Sequence, residues 1–125
     1  MVDYIEMVKL DDIQSGQMRM FEVESRQVLL ARVGDTIYAA NNICPHMGGN
    51  LSMGKLEGTM VTCPRHHSQF DLTDGHVIRW TDWTGIKLNL GKVVRPPRPL
   101  ETYRTRIENG RILVESPRVP AEVNS

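Results

Sequence analysis

Two short stretches, Cys44-Pro45-His46 and Cys63-Pro64-Arg65-His66, carry the most informative pattern in this sequence. Sixteen residues separate them, so the full pattern is C-x-H-x16-C-x2-H. Each stretch pairs one thiol with one imidazole, and a proline follows the cysteine in both. Thiolate and imidazole ligands suit zinc or iron–sulfur chemistry and do not suit magnesium or calcium. The pattern therefore predicts a metal centre held between two loops.

Three interpretations of this pattern are open. A Cys44–Cys63 disulfide leaves the histidine positions unexplained, and disulfides are rare in reducing compartments. A structural zinc site with two cysteine and two histidine ligands is chemically legitimate. The single residue between Cys44 and His46 is unusual for zinc, because paired ligands are typically about two to four residues apart. The third interpretation is a [2Fe–2S] centre in which two histidines replace two cysteines on one iron.

The sequence around both stretches resembles the Rieske family of iron–sulfur proteins, and the similarity extends from about Tyr4 to Glu115. The segment from Asn42 to Gly49 is similar to the first cluster loop of that family. The segment from Cys63 to Asp71 is similar to the second. Flanking segments at residues 9–13 and 99–103 also fit. The resemblance favours the third interpretation over the disulfide and the zinc site.

The resemblance implies a ligand set for one Rieske-type [2Fe–2S] cluster. Cys44 and Cys63 would bind one iron through sulfur. His46 and His66 would bind the other iron through ring nitrogen. The histidine-bound iron would lie towards solvent, where an electron can enter or leave.

Four further residues of the two loops bear on the type of cluster. Gly49 and Arg65 stand where respiratory members of the family carry an extra pair of cysteines, so that bridge is absent here. Ser68 matches a serine that donates a hydrogen bond to the cluster in high-potential members, whereas Phe70 replaces a tyrosine donor. Fewer donors leave the negative charge of the cluster less stabilised and lower its potential. We expect the lower half of the general range of about −150 to +300 mV.

The segment Pro96-Pro97-Arg98-Pro99 resembles the proline loop that covers the cluster in this family. Pro97 would stiffen this loop and help to exclude water. The chain before it is longer than expected for a compact member and contains Trp80 and Trp83. These tryptophans either form a docking surface beside the cluster or, as we favour, pack on the core.

Basic residues are concentrated in the C-terminal part of the chain, although the net charge is zero. Arg65, Arg95 and Arg98 should lie near the cluster end. There they would favour a partner with an acidic docking face.

The rest of the sequence predicts strands separated by turns. Asn109-Gly110 between alternating runs is a strong hairpin pattern. The predicted strands are Tyr4–Lys9, Met18–Glu24, Gln27–Val33, Thr36–Ala40, Thr102–Ile107 and Arg111–Glu115. Residues 41–58 are expected to form a functional loop, and we find no convincing helix of ten or more residues. The expected fold is all-β: one Rieske-like antiparallel sandwich or barrel over residues 1–125. Its cluster-binding subdomain spans about 43–72, and its tail, 117–125, is frayed.

Length and composition exclude several classes of protein. The chain has 125 residues, of which 40% are hydrophobic and 24% charged, as in ordinary globular domains. A neutral charge balance gives no reason to expect nucleic-acid or membrane binding. The first residues are acidic rather than basic, unlike a signal peptide, so we expect a cytoplasmic protein.

These observations predict an electron carrier rather than an enzyme in its own right. The resemblance implies a Rieske ferredoxin that passes single electrons from a flavin- or NAD(P)H-dependent reductase to a terminal oxygenase or other acceptor. The alternatives are a small electron-transfer subunit of a stable reductase complex, similar to that of nitrite reductases, and a zinc-stabilised interaction module.

Overall fold

The computed structural model describes residues 3–45, 48–65, 67–80 and 97–116. Within these ranges the chain is all-β, as predicted, with two three-residue 3₁₀ helices at Leu10–Asp12 and Leu51–Met53. The strands are β1 (Tyr4–Lys9), β2 (Met18–Val23), β3 (Arg26–Val33), β4 (Thr36–Asn41), β5 (Lys55–Glu57), β6 (Met60–Thr62), β7 (Gln69–Asp71), β8 (Val77–Arg79), β9 (Thr102–Tyr103), β10 (Thr105–Glu108) and β11 (Arg111–Glu115). No helix in the described part of the chain is long and apolar enough to cross a membrane.

The strands form three antiparallel sheets. The first sheet has the order β1-β11-β10, the second β2-β3-β4-β9 and the third β5-β6-β7-β8. One buried cluster of side chains joins the first and second sheets, and another joins the second and third. The second sheet is therefore the middle layer, and the third sheet carries the second of the two motif loops.

Strand β3 shows why the middle sheet is buried on both faces. Its four central residues are fully buried: Val28, Leu29, Leu30 and Ala31. Val28 and Leu30 pack towards the first sheet, and Leu29 and Ala31 pack towards the third. Because successive side chains of a strand point to opposite faces, a continuous apolar run fits a strand covered on both sides.

Two hairpins depend on backbone with positive φ. Asn109-Gly110 connects β10 to β11 with φ of +54° and +74°, which confirms the predicted hairpin. Glu24-Ser25 connects β2 to β3 with φ of +52° and +67°. Neither residue of the second turn is a glycine, so this turn holds conformational strain. The Ser116 hydroxyl ties the turn to the end of β11 by donating to Glu24 Oε1 at 2.6 Å.

The structure differs from the sequence prediction in three places, and the third is the sheet β5-β6-β7-β8, which was not predicted. The single strand predicted over Thr102–Ile107 is interrupted at Arg104, because β9 pairs with β4 in the middle sheet and β10 pairs with β11 in the first. Residues 41–58 are not a continuous loop, since they contain the 3₁₀ helix at Leu51–Met53 and strand β5. The four strands of the third sheet have three residues each, which is too short for a clear alternation of apolar and polar residues.

Candidate metal centre

The first motif loop follows β4 and begins at Cys44. The backbone N–H of Cys44 donates to Gly49 O at 2.8 Å, and the N–H of Gly48 donates to Cys44 O at 2.9 Å. An isolated bridge between Ile43 and Asn50 closes the base of the loop. These bonds hold the cysteine at the start of a tight turn, where it is only 2% exposed.

The second motif loop connects β6 to β7 and has the same hydrogen-bonded skeleton. The N–H of Cys63 donates to Ser68 O at 2.8 Å, and the N–H of His67 donates to Cys63 O at 3.1 Å. The residue four positions after each cysteine has positive φ: +78° at Gly48 and +58° at His67. His67 is exposed and has the left-handed backbone conformation that Gly48 has in the first loop. The described residues of the two loops therefore share one pattern of backbone hydrogen bonds and positive φ.

The two loops contact each other at Gly49. A Cβ placed on Gly49 would lie 2.6 Å from Cys63 Sγ and 3.0 Å from Arg65 Cγ. A gap of that size admits only a hydrogen atom, so the absence of a side chain at position 49 lets the loops close. Positions 49 and 65, where we inferred a missing cysteine pair, are thus neighbours in space.

Both cysteines are thiols in the structure, so the disulfide interpretation is wrong. Cys44 and Cys63 are each 2% exposed and belong to the same buried apolar cluster. A buried thiolate without a compensating positive charge is costly, and a metal centre supplies that charge. Two such thiols on adjoining loops fit the sulfur side of an iron–sulfur cluster. His46 and His66 lie outside the described residues, so their role as ligands stays a prediction.

Ser68 and Phe70 are both fully buried behind the second loop. The Ser68 hydroxyl donates a hydrogen bond to the carbonyl oxygen of Trp80. The Phe70 ring packs edge-on against Trp80, with 6.4 Å between ring centroids and 86° between ring planes. Because Phe70 has no hydroxyl group, its side chain is apolar and cannot donate a hydrogen bond at the site. The assignment of Ser68 as a donor to the cluster stays a prediction.

Trp80 is part of the core and not of a docking surface, since it is only 4% exposed. The docking hypothesis is therefore wrong for Trp80, and Trp83 lies outside the described residues. Pro97 is exposed, and its neighbour Arg98 donates from Nη2 to Pro45 O at 3.2 Å. This bond places the proline segment against the first motif loop. Arg95 lies outside the described residues.

Asn42 is a buried residue whose role could not be inferred from the sequence. It is 1% exposed and lies two residues before Cys44. Its Nδ2 donates to Gln27 Oε1 at 2.9 Å and to Asn50 Oδ1 at 3.4 Å, while its Oδ1 accepts from the Ser52 N–H at 2.8 Å. One side chain thus ties β3 to both ends of the first loop. An asparagine at a strand end is too common for the sequence alone to reveal this network.

Arg79 is the second residue that was missed. Its Nε and Nη2 both donate to the carbonyl oxygen of His67, at 3.1 and 2.9 Å. The side chain reaches the second loop from β8, and the local sequence does not predict that contact.

Two carboxylates order the turn that follows β7. Hydrogen bonds from the hydroxyl and backbone N–H of Thr73 lower the pKa of Asp71. Hydrogen bonds from the backbone and ring of His76 lower the pKa of Asp74. Both carboxylates therefore stay ionised at neutral pH and hold the turn between β7 and β8.

The family model of the Rieske [2Fe-2S] domain matches residues 3–90 of this chain. The ferredoxin component of the naphthalene 1,2-dioxygenase system of Pseudomonas putida is 32% identical over 114 residues, covering 91% of this chain and 96% of that protein. The ferredoxin component of the alkene monooxygenase system of Xanthobacter autotrophicus is 28% identical over 122 residues, covering 97% and 88%.

Solved structures show the same fold. The ferredoxin of carbazole 1,9a-dioxygenase from Nocardioides aromaticivorans IC177 is similar with a TM-score of 0.72 and 26% identity, covering 89% of this chain and 95% of that one. A chain in the complex of reduced oxygenase and oxidised ferredoxin of carbazole 1,9a-dioxygenase has a TM-score of 0.72 at 24% identity, covering 90% and 93%.

Proposed function

Because the chain belongs to the Rieske [2Fe–2S] domain family, we propose that the two motif loops hold one [2Fe–2S] cluster and that the protein is the ferredoxin component of an oxygenase system. The observation that carries the proposal is the pair of buried thiols, Cys44 and Cys63, on two loops with the same hydrogen-bonded skeleton. The family and its ferredoxin relatives favour this cluster over the zinc interpretation.

We assign four ligands to the cluster. Cys44 and Cys63 bind one iron through sulfur, and His46 and His66 bind the other through nitrogen. When bound, the cluster supplies reversible one-electron transfer. The cluster-binding subdomain is assigned to residues 43–72 of one domain that spans the chain.

The residues around the ligands control the surroundings of the cluster. Phe70 and Trp80 belong to the same buried apolar cluster as the two cysteines, and such surroundings lower the local dielectric constant and disfavour added negative charge. Gly49 leaves the room that lets the two loops close. Ser68 and the exposed Pro97 complete the site, Pro97 as part of the covering loop and Ser68 as a donor to the cluster once its hydroxyl rotates away from the Trp80 carbonyl oxygen. We infer that these features place the potential in the lower half of the family range.

The partners follow from the relatives. The protein accepts single electrons from a flavin- or NAD(P)H-dependent reductase and passes them to a terminal oxygenase. We place the protein in the cytoplasm, where its two cysteines would serve as iron ligands rather than form a disulfide. Arg65 lies on the second motif loop and Arg98 contacts the first, and both favour a partner with an acidic face.

Rapid mixing tests the electron transfer. The reduced protein is mixed with the oxidised terminal oxygenase of a naphthalene dioxygenase system, and the loss of the reduced-cluster absorbance is followed. We expect the reduced cluster to be oxidised on the time scale of rapid mixing at low ionic strength, and more slowly as the salt concentration rises. No oxidation at any salt concentration by this or other oxygenases would contradict the proposal, and a rate that does not change with salt would remove the acidic-face hypothesis.

Co-purification separates a shuttle from a permanent subunit. A ferredoxin that moves between a reductase and an oxygenase is expected to purify alone from its native cells. Stable co-purification with a large reductase would instead favour the small-subunit alternative.

A further inference from the structure

Arg79 holds the second motif loop from outside. Between its partner strand β7 and its own strand β8 the register shifts, so that β8 has an extra residue between Val77 and Arg79. Bulges of this kind re-aim side chains. The guanidinium group donates twice to the carbonyl oxygen of His67, at 3.1 and 2.9 Å. That carbonyl belongs to the residue directly after His66.

Arg98 holds the first motif loop from outside in the same way. It lies in the exposed segment 97–99, and its Nη2 donates to the carbonyl oxygen of Pro45 at 3.2 Å. That carbonyl belongs to the residue directly before His46. Each loop thus has one exposed arginine fixed on a backbone carbonyl that adjoins an assigned histidine ligand.

The two arginines bring charge as well as hydrogen bonds. A carbonyl oxygen has no net charge, so these bonds fix each guanidinium group without neutralising it. Arginine stays protonated at every pH the protein meets. A reduced cluster carries one more negative charge than an oxidised one, and a fixed positive charge nearby stabilises the reduced form.

We propose that Arg79 and Arg98 are positioning residues that raise the reduction potential of the cluster by holding positive charge on the two histidine-bearing turns. They offset part of the fall in reduction potential that is caused by Phe70, because Phe70 has no hydroxyl group to donate a hydrogen bond. The inference rests on the proposed function, since it requires a bound cluster.

The test is the midpoint potential of purified, cluster-loaded variants, measured by spectroelectrochemistry at low ionic strength. Arg79→Gln and Arg98→Gln each remove one charge while keeping a polar side chain. We expect each to lower the equilibrium constant for reduction about threefold, the size typical of an exposed charge. At 59 mV per tenfold for a one-electron couple, this is a fall of about 28 mV. In high salt the difference should shrink, because screening weakens exposed charges.

Arg104→Gln is the matched control. Arg104 is an exposed arginine between β9 and β10 and belongs to neither motif loop. Its substitution changes the net charge equally and should leave the potential unchanged. Arg79→Lys and Arg98→Lys keep the charge and should retain most of the wild-type potential.

The outcomes separate this inference from the proposed function. Glutamine variants with full iron and sulfide content and wild-type potentials would overturn the inference and leave the ferredoxin function intact. Lysine variants that fall as far as the glutamine variants would also overturn it, since charge would then not be the cause. A wild-type protein that binds no cluster would refute the proposed function itself. Because each arginine is tested alone, poor cluster loading in one variant leaves the other as the test.

Discussion

Substitution of Gly49 by alanine should push the two motif loops apart. The new Cβ would lie 2.6 Å from Cys63 Sγ, about 1 Å closer than an ordinary non-bonded contact. The backbone at Gly49 is not in the positive-φ region, so steric overlap is the source of the effect. Relief requires movement of a proposed iron ligand or of the Arg65 side-chain stem, whose Cγ is 3.0 Å away.

Overpacking of a close-packed site typically costs about 1–3 kcal/mol. At about 1.4 kcal/mol per tenfold, this corresponds to cluster retention weakened by about fivefold to 140-fold. The assay is the rate at which the visible absorption of Gly49→Ala bleaches in excess iron chelator, together with iron and sulfide per chain. We expect faster bleaching and a shifted EPR spectrum.

Gly58→Ala is the control for this substitution. Gly58 has φ of +58°, and a Cβ added there would have no neighbouring atom within 4 Å, so alanine adds backbone strain without a close contact. Gly58→Ala should lower the thermal midpoint and leave the bleaching rate unchanged. Bleaching of Gly49→Ala at the wild-type rate, or equally fast bleaching of both variants, would refute steric overlap at Gly49 as the cause.

Three further substitutions test the fold and the pH dependence. Ser25→Gly should raise stability by about 1 kcal/mol, because glycine relieves the positive φ of +67°; a lower thermal midpoint would contradict this. Asn42→Ala should lower the free energy of unfolding by about 1–3 kcal/mol, because it leaves buried partners of the amide unsatisfied. The thermal midpoint should fall, and an unchanged midpoint would contradict this prediction. The pKa of Asp71 is lowered from its ordinary value of 3.8 in the folded protein, so its contribution to stability is present above that pH and is lost as the pH falls through the folded-state pKa. Asp71→Asn should therefore lose less stability than the wild type between about pH 5 and pH 3 in thermal melts, and equal losses would contradict the assignment.

The parts of the fold that the sequence predicted are those controlled by local pattern. The alternating and apolar runs of β1 to β4 and the Asn109-Gly110 hairpin formed within a residue or so of their predicted bounds. The third sheet was missed because its three-residue strands are stabilised by pairing and burial rather than by their own sequence. The switch between sheets at Arg104 was missed for a related reason, since alternation specifies a strand but not its partner.

In the candidate site, too, the sequence indicates features that are set by local pattern and does not indicate those that depend on tertiary contacts. The two cysteines could be singled out because the spacing of thiol and imidazole groups is itself a chemical pattern, and their role as iron ligands stays a prediction. The contact of Gly49 with Cys63 could not be predicted, because it depends on how the two loops are placed in space. The roles of Asn42 and Arg79 depend on a buried amide network and a β-bulge, and both are tertiary features that no local pattern encodes.

Iron and sulfide analysis of the anaerobically purified protein, with EPR after dithionite reduction, shows whether the chain binds a Rieske cluster. We expect two irons and two sulfides per chain and the low average g-value of a histidine-ligated [2Fe–2S] cluster. A colourless protein with one zinc per chain, and with no EPR signal even after cluster reconstitution, would contradict it.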